Sequence, residues 1–273
     1  MYNMKNKFFL LLILSFLTLL FSGCKKEEVD NGYYCNEQLD LLNSYMNMPR
    51  PADSYNYPIR PCMNKWKELA STEEKIKACA IPIERLKTMS TQAVIQAIWE
   101  YPFFVEISSS IGMRNAQKDF ETLFYSNNAY KELLERKDAG ILLLKRYKLM
   151  DAICKGKLIW IPPFELLFSQ PNFIQQLTTA EKKKLVAIAL EKNKLRVASG
   201  FFDELCEFST LMLIARIMIY AEYPPFLNEV IDSDPLKRFI DTSMFFVKTM
   251  EELRNLQQLM LDYGKEFINE KQQ

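Results

Sequence analysis

The sequence predicts an all-α protein in which about 9–11 helices form a helical array, an irregular α-solenoid or a bundle after an N-terminal tether. From Asn64 onward, helix start signals recur at short intervals, and apolar residues fall three and four positions apart, which is the spacing of one helix face. No stretch shows sustained alternation of apolar and polar residues bounded by turn signals, which is the pattern of a half-buried strand.

Helix starts are marked by residues whose side chains or backbone geometry suit a first helical turn. The marked starts are Ser71 with Glu74, Pro82, Ser90 or Thr91, Asn127 or Asn128, Thr178 with Glu181, and Asp234 as the N-cap before Pro235. The Ser71 and Thr178 starts carry a glutamate three positions later, which is the capping-box pattern. The helix opened at Ser90 or Thr91 is expected to end at Tyr101 and Pro102.

Two apolar patterns predict the packing of later helices. In the C-terminal helix the apolar residues share one face, namely Phe246, Met250, Leu253, Leu256, Met260, Tyr263 and Phe267. The stretch from Leu211 to Tyr223 is interrupted by Arg216 and Glu222 and is shorter than the ~20 residues that a membrane span needs. We therefore interpret it as a buried core helix.

The part of the chain before Asn64 has a different character. Four prolines lie between residues 47 and 63, and a continuous helix cannot accommodate them. A short helix is predicted just before them, from Asn36 to Tyr45. We divide the mature chain into residues 24–63, comprising a tether, this helix and a Pro/Tyr-rich linker, and a helical domain at residues 64–273. A division of that domain into two halves near residues 156–171, where Pro162 and Pro163 occur, is an alternative.

Residues 1–23 have the layout of a secretory signal peptide. Lys5 and Lys7 precede an apolar run from Phe8 to Phe21, and the small residues Ser22 and Gly23 follow it. The run is shorter than the ~20 residues of a membrane-spanning helix. We therefore expect residues 1–23 to be removed.

Together with Cys24, this stretch resembles the lipobox of bacterial lipoproteins, with Phe21 where the pattern usually has Leu. The resemblance implies that the Cys24 thiol carries a diacylglyceryl group, whose acyl chains hold the protein on a membrane. Lys26, Glu27 and Glu28 resemble the short signal that sends lipoproteins of the Bacteroidota to the outer face of the outer membrane. This implies a cell-surface location, with the periplasmic face as the alternative.

Composition excludes several classes of function. The sequence has no histidine, so Ser-His-Asp catalysis and histidine-liganded zinc sites lack their imidazole. Its seven glycines are too widely spaced for a phosphate-binding loop. Residues 1–23 contain two lysines and no acidic residue, so their removal changes the net charge from +1 to −1, which argues against nucleic-acid binding. We predict no cofactor, no metal site and no nucleic-acid partner.

The cysteines after Cys24 lack a C-x-x-C pair and are odd in number: Cys35, Cys62, Cys79, Cys154 and Cys206. A disulfide is permitted in an exported protein. The pair that we select is Cys35 with Cys62, because it would tie the Pro/Tyr-rich linker to the rest of the protein. The alternative is that these cysteines are small buried residues of a helical core.

Acidic groups are the remaining candidates for chemistry without histidine. Asp203 and Glu207 are four residues apart on a predicted helix and so share a face that could hold a cation. Acids beside an apolar stripe are more often solvated or capping residues. We therefore name no catalytic residue.

The body also resembles helical secreted proteins of unknown function, in the runs from Pro82 to Ser90 and from Arg136 to Gly140. This resemblance implies an all-α body and no particular activity. We predict a lipid-anchored, non-catalytic helical protein that presents a face to a protein or glycan partner. The alternatives are a carboxylate-dependent hydrolase acting on an envelope or extracellular glycan, and an accessory subunit of an outer-membrane nutrient-uptake system.

Overall fold

The computed structural model describes residues 40, 43–44, 47–104, 115–152, 161–199 and 204–270. This part of the chain contains 14 helices and no β-strand, so the predicted all-α fold is confirmed. The number exceeds the prediction because four of these helices have seven residues or fewer. In chain order the helices are α1 (Asn64–Glu68), α2 (Thr72–Ala78), α3 (Ile83–Thr88), α4 (Thr91–Trp99), α5 (Ala116–Phe124), α6 (Asn128–Glu135), α7 (Ala139–Leu149), α8 (Ile161–Phe168), α9 (Pro171–Ile174), α10 (Thr179–Ala198), α11 (Glu204–Tyr220), α12 (Pro224–Asp232), α13 (Asp234–Thr242) and α14 (Met250–Asn269).

Most of the predicted helix starts are confirmed. The side chains of Ser71, Ser90 and Asn127 each accept a hydrogen bond from the backbone N–H three residues later. Thr178 and Glu181 form a complete capping box at the start of α10. These contacts satisfy backbone donors that a helix start otherwise leaves free.

Three starts differ from the prediction. Pro82, predicted in the first turn of α3, is the N-cap residue before it. The N-cap of α13 is Ser233, whose hydroxyl accepts from the backbone N–H of Leu236. The prediction that Asp234 caps this helix is wrong, because a cap has extended backbone, as Ser233 does, whereas Asp234 already belongs to the first turn. At α2 the Glu74 carboxylate accepts from the N–H of Ala70, one residue before the N-cap, at 2.7 Å.

The central helix is α11. It packs against α8, α10 and α14, and every residue from Phe208 to Met218 is buried. The stretch that begins at Leu211 is therefore a core helix, as predicted. It ends at Tyr220, and Glu222 then adopts a left-handed backbone conformation with φ of 52° before Pro224 begins α12.

The apolar face of the C-terminal helix is buried only in part. Met260 and Phe267 are buried against the core, whereas Met250 is 59% exposed and Phe246 is 46% exposed. Phe246 precedes the helix, which begins at Met250. Leu253 in the first half is partly buried against the core, but the fully buried residues of α14 all lie in its second half, and the helix packs against α10 and α11.

The Pro/Tyr-rich segment at residues 47–63 packs on the helices. Tyr57 is buried, and its hydroxyl donates to the backbone carbonyl of Ala97 in α4 at 2.9 Å. A single apolar core extends from this tyrosine to Phe267 in α14. Asp40, Asn43 and Ser44 are helical, and the rest of the short helix predicted from Asn36 to Tyr45 lies outside the described residues.

None of the helices in the described ranges is both long enough and apolar enough to cross a membrane.

Candidate functional site

Most of the site residues predicted from the sequence lie outside the described part of the chain. They are Cys24, Lys26, Glu27, Glu28, Cys35 and Asp203. Cys62 is disulfide-bonded, and its pairing with Cys35 stays a prediction. Glu207 lies on α11, so the proposed acid pair is described at one member only. Within the described ranges no three Asp, Glu or Cys side chains come close enough to hold a metal ion.

The most buried charged group that the structure does describe is Glu165, in the middle of α8. All eight residues of α8 are buried, and Glu165 is fully buried. Pro162 and Pro163 lie in the first turn of this helix, where a proline costs no hydrogen bond. The apolar run with two prolines therefore places a carboxylate inside the core.

Hydroxyl groups from two other helices hold the Glu165 carboxylate. The hydroxyl of Tyr147 on α7 donates to Oε1 at 2.5 Å, and the hydroxyl of Ser209 on α11 donates to Oε2. The hydroxyl of Thr210 lies 2.9 Å from Oε1 and 3.0 Å from Oε2. Both carboxylate oxygens are thus engaged with protein groups.

Two cationic side chains of α10 lie beside this carboxylate. Arg196 Nη1 is 3.8 Å from Glu165 Oε1, and Nη2 of the same guanidinium donates to the hydroxyl of Thr210. The Lys192 ammonium donates to the carbonyl of Met150 and lies over the ring of Tyr147. Burial lowers the pKa of Lys192, an effect that the nearby Glu165 charge opposes. This cluster connects α7, α8, α10 and α11.

A second buried carboxylate, Glu100, follows α4 and binds the Pro/Tyr-rich segment. The Arg50 guanidinium contacts it through two nitrogens, Nε to Oε1 at 2.7 Å and Nη2 to Oε2 at 2.9 Å. Arg60 Nη2 lies 3.8 Å from Oε2. The Gln96 amide also donates to Oε1, at 2.7 Å. Hydrogen bonding to Glu100 raises the pKa of Arg50, whereas burial lowers the pKa of Arg60. Glu100 therefore fixes residues 47–63 to the body.

Arg216, in the middle of α11, is also buried, and it lies at an open pocket. Its Nε and Nη2 both donate to the carbonyl of Ile240, at 3.0 and 2.8 Å. Its Nη1 donates to Gln117 Oε1 at 2.8 Å and to the Ser169 hydroxyl at 3.2 Å. Burial lowers the pKa of this guanidinium to about 10. Arg216 thus holds together α5, α11, α13 and the end of α8.

We call the cavity beside this guanidinium the Arg216 pocket. Its volume is about 290 Å³, and it is open to solvent on one side. It is lined by Gln117, Gln170, Pro171, Arg216, Ile219, Tyr220, Ile240 and Asp241. The two amide side chains, Gln117 and Gln170, donate to each other at 3.2 Å in both directions. The pocket therefore combines one cation, one anion and two amides with an apolar wall.

Of these three buried residues, only Arg216 stands out in the sequence pattern considered above. Arg216 was noted as an interruption of an apolar stretch, which is the signal of a buried charge that needs partners. Glu165 gives the same signal, since it is the one charged residue between Leu158 and Gln176. Glu100 gave a weaker signal, because the Glu-Tyr-Pro motif around it predicts a helix end and not a buried ion pair.

No protein-family model, no curated protein and no solved structure matches this chain.

Proposed function

We propose that this chain is a lipid-anchored protein of the bacterial outer membrane, exposed at the cell surface, whose helical body binds a protein or glycan partner without catalysing a reaction. Cys24 carries the lipid in this proposal, and Lys26, Glu27 and Glu28 direct export to the surface. Acyl chains contribute about 0.8 kcal/mol per buried CH₂, so two or three of them anchor a protein stably.

The observation that carries the non-catalytic role is the state of the two buried carboxylates in the described ranges. Glu165 and Glu100 accept hydrogen bonds at both oxygens from side chains of the protein itself. A carboxylate that serves as general acid or base must reach the proton of a substrate. These two groups instead hold helices and residues 47–63 together.

The attachment of residues 47–63 limits the distance between the body and a lipid on Cys24. Because Arg50 is bound to Glu100, the chain between Cys24 and the body is short. The 23 peptide units from Cys24 to Asn47 span at most about 80 Å when fully extended. A lipid on Cys24 would therefore keep the body near the membrane.

Labelling with radioactive palmitate tests the anchor. We expect the full chain to incorporate label in a bacterium that processes lipoproteins, and Cys24→Ala to incorporate none. Ser22→Ala is the matched control, because alanine preserves the small residue before the cysteine and should preserve labelling. A wild-type chain without label, or a Cys24→Ala chain that keeps it, would contradict the anchor.

Protease added to intact cells tests the surface location. The wild-type chain should be degraded, whereas a chain with Lys26, Glu27 and Glu28 all replaced by alanine should survive until the cells are lysed. Asp30→Ala, which changes one charge outside the export signal, should behave like the wild type. Survival of the wild-type chain on intact cells would place it at the periplasmic face.

A further inference from the structure

We propose that the Arg216 pocket binds one ring of a neutral sugar. The inference rests on the proposed binding role and names the class of ligand. Four separate properties of the pocket point to this class: its volume, its charge, its hydrogen-bonding groups and its apolar wall.

The volume limits the ligand to a small molecule. Pockets for drug-sized ligands occupy about 300–1,000 Å³, and the Arg216 pocket, at about 290 Å³, lies just below that range. The opening on one side lets a longer molecule enter by its end. A single ring, either free or at the end of a chain, fits this space.

The charge of the pocket favours a neutral ligand. Arg216 and Asp241 both line the pocket, and the charges of Asp241 and Glu121 both act on the guanidinium. The guanidinium already donates to Ile240, Gln117 and Ser169. An anionic ligand would meet the Asp241 carboxylate and a guanidinium whose N–H groups are largely engaged with the protein. An ammonium group would meet the buried Arg216 charge.

The hydrogen-bonding groups suit hydroxyl groups, which donate and accept at the same time. The bonds between Gln117 and Gln170 are 3.2 Å long, at the far end of the usual range. Gln117 lies half-buried at the pocket, and Asp241 is exposed at its edge. Gln117 also donates to Glu121 at 2.9 Å, and Gln170 also donates to the carbonyl of Leu166 at 2.8 Å, so a sugar hydroxyl would replace one of the 3.2 Å bonds between the two amides. An adjacent sugar hydroxyl would donate to the Asp241 carboxylate.

The rest of the pocket lining is apolar apart from the hydroxyl of Tyr220. Tyr220 and Ile219 on α11 are half-buried, as are Ile240 and Pro171. A sugar ring carries C–H groups on its faces, and an aromatic ring provides a large, rigid surface for them. The pocket therefore offers both surfaces that a sugar ring requires.

Binding to a set of sugars that differ in charge tests the proposal. The full-length lipidated protein would be studied in lauryldimethylamine oxide, a detergent without a sugar headgroup, by saturation-transfer NMR and calorimetry. The probes are glucose, galactose, mannose and N-acetylglucosamine, with glucuronate and glucosamine as charged counterparts. We expect at least one neutral sugar to bind more tightly than either charged probe.

Two variants locate the binding. Asp241→Ala should weaken it about tenfold or more, because a hydrogen bond to a charged group is lost, and Tyr220→Ala should weaken it as well. Asp232→Ala is the matched control, since this aspartate is also exposed but lies on α12 outside the pocket. Asp241→Ala should keep the melting temperature of the wild type, so a folding defect would be recognised.

Several results would overturn the proposal: no binding of any neutral sugar, preferential binding of glucuronate or glucosamine, or binding that Asp241→Ala leaves unchanged. Failure of the proposed function is distinguishable, because palmitate labelling does not depend on the pocket. Cellobiose and lactose add a further distinction. Release of monosaccharide from either would contradict the non-catalytic role, whereas binding without release supports both proposals.

Discussion

Replacing Glu165 by glutamine should show how far charge holds α8 and α10 together. Glutamine keeps the shape of the side chain and one carbonyl oxygen, and the neighbouring hydroxyl groups can turn to accept from its amide. What the variant removes is the negative charge beside Arg196 and Lys192. These residues are only 5% and 6% exposed, so water compensates them poorly.

The expected loss of stability follows from this geometry. Removing one partner of a buried ion pair costs about 3–5 kcal/mol. We expect a value near the lower end, about 3 kcal/mol, for two reasons. Arg196 Nη1 is 3.8 Å from Glu165, beyond hydrogen-bond distance, and Lys192 keeps the carbonyl of Met150 as a partner.

Urea unfolding followed by circular dichroism would measure this loss, on Cys24→Ala chains that carry no lipid. The set contains the parent, Glu165→Gln, Arg196→Met and the double variant. The double variant should lose less than the two single losses added together, because it leaves neither charge without its partner. The control is Glu191→Gln, at an exposed glutamate on α10, the helix that carries Arg196. This variant should have the stability of the parent. A loss below about 1 kcal/mol for Glu165→Gln, with additive single losses, would refute the reasoning.

Three further predictions concern other parts of the body. In Gly140→Ala the new Cβ would lie 2.6 Å from the backbone carbonyl oxygen of Phe173. The cost of this overpacking exceeds the gain in helix propensity, so urea unfolding should show a loss of about 1–2 kcal/mol. Arg50→Met should lower the free energy of unfolding by about 1.5–3 kcal/mol and speed proteolysis within residues 47–63. Lys87→Met, at an exposed lysine, should do neither. Equal cleavage rates for the two variants would contradict the contact between Arg50 and Glu100. Burial raises the pKa of the Cys79 thiol to about 12, so the unfolded chain ionises first as pH rises above 9 and the folded state loses stability between pH 9 and 12. The cost of Cys79→Ala should therefore be about 1.4 kcal/mol smaller at pH 10 than at pH 7, and a pH-independent cost would contradict this.

Local signals in the sequence were sufficient to predict the helices and to identify the most buried of them. Ser90, Asn127 and Thr178 cap the helices that they were predicted to open, because a cap involves only residues three apart. The core position of α11 followed from its length and apolar character. The Asp234 error has the same local origin: Ser233 and Asp234 are both good caps, and the backbone conformation that decides between them is not encoded in residue type alone.

The polar contacts between helices could not be predicted in the same way. Glu100 and Glu222 each begin a Glu-Tyr-Pro motif, at residues 100–102 and 222–224. Glu100 is buried against Arg50, whereas Glu222 is exposed and has a positive φ. The difference comes from residues 47–63, which lie some fifty positions before Glu100 and have no counterpart at Glu222. A single sequence gives the residue types of such pairs but not which ones meet.

The buried polar groups at α8 and α11 also explain why α11 has a single position along its own axis. From Phe208 to Met218 α11 is buried on every side, so apolar contact alone would tolerate small shifts along its axis. Ser209 and Arg216 are seven residues apart, which is two helical turns, and therefore lie on one face. Ser209 bonds to Glu165, and Arg216 bonds to Ser169, which lies four residues after Glu165 and directly follows α8. Two directional contacts at this spacing admit one alignment of the helices, since a shift of one turn would leave Glu165 and Arg216 buried without these partners, at a cost of several kcal/mol. The same alignment sets Arg216 against Gln117 and Ile240, and so determines the shape of the Arg216 pocket.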